Sequence, residues 1–292
     1  MKNFIILTPT FNDWKSLNKL LIQIDRNVSK IKGKFSVVIV NDASTNKLNL
    51  QFKNLKKIKK ITLITTSKNL GSQKSICLGL KYLKKTNAKS IIVVIDSDGE
   101  DDPRKVYNLI SLANKNPKSI ITGNRLQRDK NFLYKVFYKL HLLITLMLTG
   151  KYIDFGNFSS FNSNNLVQLF IKTDLWLAYS AAVAKNAKSI KSYYIDKRKR
   201  YYGKSKVNTF FLLQHSINII TVFNVNVFKN SIIFSLVLFF IGIKTNIFIF
   251  YIPTIFLIIL NTFINYNKKK MSLFAKNKNL IKNIKNIKNI KN

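Results

Sequence analysis

The chain has 292 residues, with 50 Lys or Arg against 12 Asp or Glu and a formal charge of +38. The lysines are spread along the whole length among asparagine and isoleucine, with no zinc-finger spacing, aromatic RNA-binding signature or repeated basic helix. No nucleic-acid partner is therefore expected, and an anionic membrane surface fits the charge better. A single cysteine, Cys77, excludes a disulfide framework.

The opening apolar run is too short for a signal peptide and is broken by Pro9, so the N-terminal part is expected to remain in the cytoplasm. Phe4–Thr8 reads as a short strand, and Leu17, Leu20, Leu21, Ile24 and Val28 then recur at helical spacing. Strands follow at 35–40 and 61–66, and a helix face at Ile76, Leu80 and Leu83. A fourth strand at 91–95, a helix marked by Val106, Leu109, Ile110 and Ala113, and a fifth strand at 119–123 complete the alternation. Strand and helix in turn predict a doubly wound parallel sheet. A segment rich in Phe, Tyr and Leu at 132–149 is expected to cover an edge or face lipid.

The composition changes near residue 207. Residues 210–223 mix apolar side chains with Gln214, His215 and Asn218, as an interfacial helix does. Two apolar runs follow, 231–243 and 247–266, separated by Lys244, Thr245 and Asn246 and followed at once by Lys268, Lys269 and Lys270. The second run is long enough to span a bilayer; the first is short and spans only by borrowing residues 225–230. The distribution of lysine predicts a hairpin with both ends in the cytoplasm. The expected division is 1–206 catalytic, 207–228 interfacial, 229–266 membrane hairpin, and 267–292 a low-complexity basic tail, disordered or lying as a helix on the membrane.

Residues 96–103, DSDGEDDP, hold five of the acidic residues directly after the fourth strand. A glycine and a proline make this a turn at the carboxyl end of a strand, the edge where open α/β sheets bind ligands. Asp101 and Asp102 are suited to capping the helix that starts at Pro103. Asp96 and Asp98 precede any helix, and two carboxylates one residue apart repel unless a cation or a proton relieves them. Hard oxygen donors of this kind suit Mg²⁺ or Mn²⁺. No dinucleotide-type glycine fingerprint or P-loop is present.

Six further segments accompany this turn: TPTFND (8–13), VIVNDAST (38–45), SKNLGSQKSICLGL (67–80), TGNR (122–125), DFGNFSSF (154–161) and KRYYGKSKVN (199–208). In this order the set resembles the family 2 glycosyltransferases of GT-A fold, nearest to the polyprenyl-phosphate sugar transferases with a membrane hairpin after the catalytic domain. The resemblance implies that Pro9, Thr10 and Asp13 line a nucleotide pocket and that Asp42 reads the base edge. It implies a metal on the sugar-nucleotide diphosphate held by Asp96 and Asp98, with Glu100 in the third position of the family's Asp-x-Asp-x-Gln motif. Arg200, Ser205 and Lys206 match its Arg-x-x-Gly-x-Ser-Lys, counter-charges for phosphate. Arg125 is a further phosphate candidate, and Arg128 a weaker one. Relatives carry an acid and an Arg in the DFGNFSSF segment where this chain has Asn157 and Ser159.

The implied function is transfer of a sugar from a nucleotide-sugar donor to a polyprenyl phosphate at the cytoplasmic membrane face, with inversion. A lipid phosphate is ionised near neutral pH and needs no general base. The alternative is a saccharide hydroxyl acceptor, for which Asp154 or Asp174 would have to serve as base. A third reading is a non-catalytic basic membrane adaptor, for which the Asp96/Asp98 pair would have no use.

Overall fold

The computed structural model describes residues 2–51, 55–87, 89–126, 132–170, 173–203, 209–277 and 279–289. Eight strands form one sheet: β1 (Asn3–Thr10), β2 (Lys34–Asn41), β3 (Ile58–Thr66), β4 (Ile91–Val94), β5 (Ile120–Arg125), β6 (Phe155–Asn162), β7 (Ile190–Ile195) and β8 (Ile281–Asn289), in the order β7-β5-β6-β4-β1-β2-β3-β8. The helices are α1 (Trp14–Asn27), α2 (Ser72–Thr86), α3 (Val106–Lys115), α4 (Phe132–Thr149), the short α5 (Leu166–Leu169), α6 (Asp174–Leu177) and α7 (Tyr179–Asn186), then α8 (Thr209–Val222), α9 (Asn224–Thr245) and α10 (Tyr251–Ala275).

The central strands are buried on both faces, which is why they read as continuous apolar runs. Alternate residues of β1 serve opposite layers. Ile5 and Leu7 join the core formed with α2 and α7, while Phe4 and Ile6 join the core formed with α1 and α3. Gly79 lets α2 press onto the sheet, since a Cβ there would stand 2.3 Å from Leu7 Cδ1.

The sheet differs from the expected all-parallel one in two strands. β6 inserts antiparallel between β4 and β5, and β8 pairs antiparallel with β3. The second difference corrects the reading of the tail as disordered or helical. Its three-residue Ile-Lys-Asn repeat fits neither the strand nor the helix period. Two register irregularities absorb the mismatch, between Ile61 and Thr62 and between Thr65 and Thr66. Pairing removes the open edge that β3 would otherwise present, and Leu280 is buried at its start.

The apolar C-terminal elements form as helices, with α9 taking in residues 225–230. Asn224–Thr245 and Phe248–Ala275 are each long and apolar enough to cross a membrane. Only 17% and 6% of their apolar windows are buried, where the core helix of a soluble protein would be mostly buried. α10 runs on through Lys268, Lys269 and Lys270 to Ala275, so the expected boundary at 266 falls inside a helix.

Candidate active site

β4 ends at Val94, and the turn after it carries Asp96, Asp98 and Glu100 to the carboxyl edge of the sheet. Gly99 has φ +82°, a conformation that favours glycine, and a Cβ there would meet the Tyr201 ring at 2.2 Å. Asp102 caps the helical turn at Pro103, accepting from the Arg104 N–H at 3.0 Å as expected. Asp101 does not. Its carboxylate is buried and accepts from Arg125 Nη2 at 2.9 Å, so the capping expectation for Asp101 is corrected to an ion pair across the turn.

The segment after β7 lies against this acidic turn. The N–H groups of Arg198 and Tyr201 donate to the carbonyls of Glu100 and Asp98, each at 2.9 Å. Side chains follow the same register. Lys197 pairs with Glu100 at 2.8 Å, and Arg198 with Asp102 at 3.4 Å. Arg200 reaches Asp98 Oδ2 at 3.2 Å and Asp13 Oδ2 at 2.8 Å. A forked guanidinium therefore ties the end of β1 to the turn after β4.

Burial pushes the Asp98 carboxyl above its ordinary value, against the Glu100 N–H and the charge of Arg200. Asp96 is pushed up to about 7, first by burial and then by the Asp98 and Asp101 carboxylates, with the Asn157 hydrogen bond opposing. Crowded oxygens whose charge is costly are a donor set that a divalent cation relieves. Glu100, expected as a third ligand, is instead engaged by Lys197 and, at 3.8 Å, by Arg125. Among the described residues no group of three His, Cys, Asp or Glu is arranged to hold a metal. Two carboxylates still fit Mg²⁺, which commonly takes one or two from the protein and its remaining oxygens from phosphate and water.

A cavity of 1720 Å³ joins most of the expected residues: Pro9, Thr10, Asp13, Asp42, Asp96, Asp98, Glu100, Arg125 and Arg200 all line it. Asp42 is nearly buried, and its two oxygens accept from the N–H groups of Leu70 and Gly71 at 2.8 Å. Its visible work is to fix the loop into α2. Ser205, Lys206 and Arg128 lie outside the described residues.

The cavity has a second, apolar end. Phe137 and Ile144 of α4, Ile219 of α8, Val237 of α9, and Phe256 and Leu260 of α10 form its walls. Neither carboxylate named as an alternative base is among the lining residues. Asp154 accepts from Asn124 Nδ2 at 2.7 Å. Asp174 is fully buried and paired with Lys185 and Lys268, so its reading as a general base is corrected to a structural ion cluster.

Sequence reasoning passed over Gln73 and Tyr179. Gln73 stands in the first turn of α2, inside the quoted segment 67–80, but only the unforeseen antiparallel β6 brings Asn157 between it and Asp96.

Residues 5–173 match the model of glycosyl transferase family 2. The uncharacterized glycosyltransferase sll0501 of Synechocystis sp. is 22% identical over 140 residues, 46% of this chain. The match spans 43% of that relative, less than half its length. Among solved structures, glucosyl-3-phosphoglycerate synthase of Mycobacterium tuberculosis, in complex with Mn²⁺, UDP-glucose and phosphoglyceric acid, superposes with a TM-score of 0.54. It is 10% identical, over 77% of this chain and 80% of that one. S. aureus TarS 1-349 gives a TM-score of 0.49 at 16% identity, over 79% and 68%. The match of the family model over residues 5–173, more than half of the chain, makes this chain a member of glycosyl transferase family 2.

Proposed function

We propose that the protein transfers a sugar from a nucleotide-diphospho-sugar to the phosphate of a polyprenyl phosphate at the membrane surface. The observation that carries this reading is the continuity of the cavity. One end presents Asp96, Asp98, Arg125 and Arg200; the other is walled by apolar side chains of α4, α8, α9 and α10. A saccharide needs no such wall, whereas a phosphate on a long hydrocarbon chain needs both ends at once.

The charged end suits a diphosphate donor. Asp96 and Asp98 would hold Mg²⁺ or Mn²⁺, which when bound neutralises charge developing on the leaving diphosphate. The mycobacterial synthase of similar fold was solved with Mn²⁺ and a UDP-sugar, which supports the same donor class here. Arg200 spans Asp13 and Asp98, so its guanidinium stands where two phosphate groups would meet and offers forked donors to both. Thr10 and Pro9 close the nucleotide side. In-line attack by an ionised lipid phosphate inverts the anomeric centre and requires no base. That accords with Asp154 and Asp174 lying off the cavity wall.

The apolar end suits a membrane. α9 and α10 would cross as a hairpin, α4 and α8 would lie at the interface, and Lys268, Lys269 and Lys270 would remain on the cytoplasmic side with the catalytic residues. Incubating the purified chain with radiolabelled nucleotide-sugars, Mn²⁺ and either polyprenyl phosphate or a saccharide acceptor tests the reading. Label in the organic phase supports it; label transferred only to saccharide sinks it.

A further inference from the structure

β6 pairs with β4 with Val94 opposite Ser159 and Val93 opposite Ser160. Carried two residues further, this register sets Asn157 across from Asp96. The side chains meet there: Asn157 Nδ2 donates to Asp96 Oδ2 at 3.1 Å and to Oδ1 at 3.2 Å. Behind it, Asn157 Oδ1 accepts from Gln73 Nε2 at 3.1 Å, and Gln73 Oε1 accepts from the Tyr179 backbone N–H at 2.8 Å. Ser159 braces the same corner, with its Oγ 3.1 Å from the Asn157 carbonyl and 2.6 Å from the Tyr179 hydroxyl.

The direction of this chain is fixed at its origin. A backbone N–H only donates, so it holds the Gln73 oxygen toward Tyr179 and the Gln73 NH₂ toward Asn157. That NH₂ in turn holds the Asn157 oxygen toward Gln73, leaving the Asn157 NH₂ for Asp96. An amide whose orientation would otherwise be free is set by its network. The Asp96 carboxylate thus meets a neutral donor, which orients it without cancelling its charge as a guanidinium would.

We infer that the Tyr179 N–H, Gln73 and Asn157 form a polarity relay in which Asn157 is a positioning residue, aiming the Asp96 carboxylate at a divalent cation in the cavity. The inference rests on the reading of Asp96 and Asp98 as the cation site. It gives the Asn that replaces the family's charged residue a task of its own. Outer hydrogen-bond partners of this kind change metal affinity by about 10- to 100-fold when removed.

The test is Mn²⁺ titration of the full chain in detergent, without nucleotide, following free Mn²⁺ by electron paramagnetic resonance. Asn157→Leu removes the donor and should weaken Mn²⁺ binding by about 10-fold or more. Asn157→Ala serves if the larger side chain lowers the thermal midpoint. Gln73→Glu is the sharper variant. Its carboxylate accepts from both neighbours, turning the Asn157 oxygen toward Asp96, so the relay predicts weaker binding, whereas an added negative charge acting only through space predicts tighter binding. Weakening in both variants, with the thermal midpoint kept, supports the relay. Binding that Gln73→Glu keeps or tightens, or that both Asn157 variants keep within about twofold, overturns the relay alone. A wild-type chain that binds no Mn²⁺ overturns the cation reading and the relay with it.

Discussion

Replacing Asp174 by Asn should destabilise the protein without touching its chemistry. Asp174 opens α6 with no exposed surface and is paired with Lys185 of α7 at 3.2 Å and with Lys268 of α10. The lysines are themselves only 22% and 18% exposed. Burial would raise the Asp174 carboxyl, but the hydrogen bond and charge of Lys268, with Lys185 behind, outweigh it and hold the group below its ordinary value. Its stabilisation is therefore present above the unfolded value of about 4 and lost as pH falls through the depressed one. Removing one partner of such a cluster leaves the other charges uncompensated, at about 3–5 kcal/mol. For a unit of about 200 residues that is a fall in Tm of about 6–20 °C. Thermal unfolding in detergent at neutral pH should show this loss, and the difference from wild type should shrink at acidic pH. Sugar transfer per folded molecule should stay near wild type. A dead but fully stable Asp174→Asn would refute the argument and restore Asp174 as a general base.

Three other outcomes follow from the site. Arg200→Ala removes a charge-assisted contact and should slow transfer by about 10- to 150-fold, the equivalent of about 1.5–3 kcal/mol; Asp154→Asn, off the cavity wall, should change the rate far less, and the reverse ranking in initial-rate assays would contradict the lipid-phosphate reading. Because Asp96 is pushed up to about 7 when folded against about 4 unfolded, the folded state binds more protons between these values. Metal-free protein should therefore lose stability as pH rises from about 4 to 7, a slope that Asp96→Asn flattens in thermal melts. Gly99→Ala must move the Tyr201 ring, which its Cβ would meet at 2.2 Å, and must also adopt φ +82°; transfer should fall sharply with the global melt little changed, and an unaltered rate would show that the 198–201 segment does not need its present seat.

The sheet's centre was legible because β1, β2 and β4 are largely buried on both faces and carry almost uninterrupted apolar runs. β6 was not, since its buried positions include Ser159 and Ser160, whose polarity hides a strand. Ser159 is tolerated there through its hydroxyl partner on Tyr179. β8 was hidden by a three-residue period that only a broken register accommodates. The continuation of α10 past residue 266 was not legible because its lysine run looks like the edge of a membrane span; Met271 is buried and Phe274 packs edge-on against Trp176 at 5.7 Å, so the helix continues. The gathering of Asp96, Asp98 and Arg200 at one cavity was readable from spacing and resemblance. The pairing of Asp101 with Arg125 and the Gln73–Asn157–Asp96 chain were not, because each joins segments far apart in sequence.

Under the proposed function one site takes a phosphate at its charged end and a hydrocarbon chain along its apolar wall. The measurement is kcat/KM for a series of prenyl phosphates of increasing length, with one nucleotide-sugar and Mn²⁺ held saturating. Each buried CH₂ contributes up to about 0.8 kcal/mol, so lengthening from about five to about twenty carbons should raise kcat/KM by at least ~100-fold. Equal values across the series would mean that the apolar wall does not hold the acceptor, and would contradict the account.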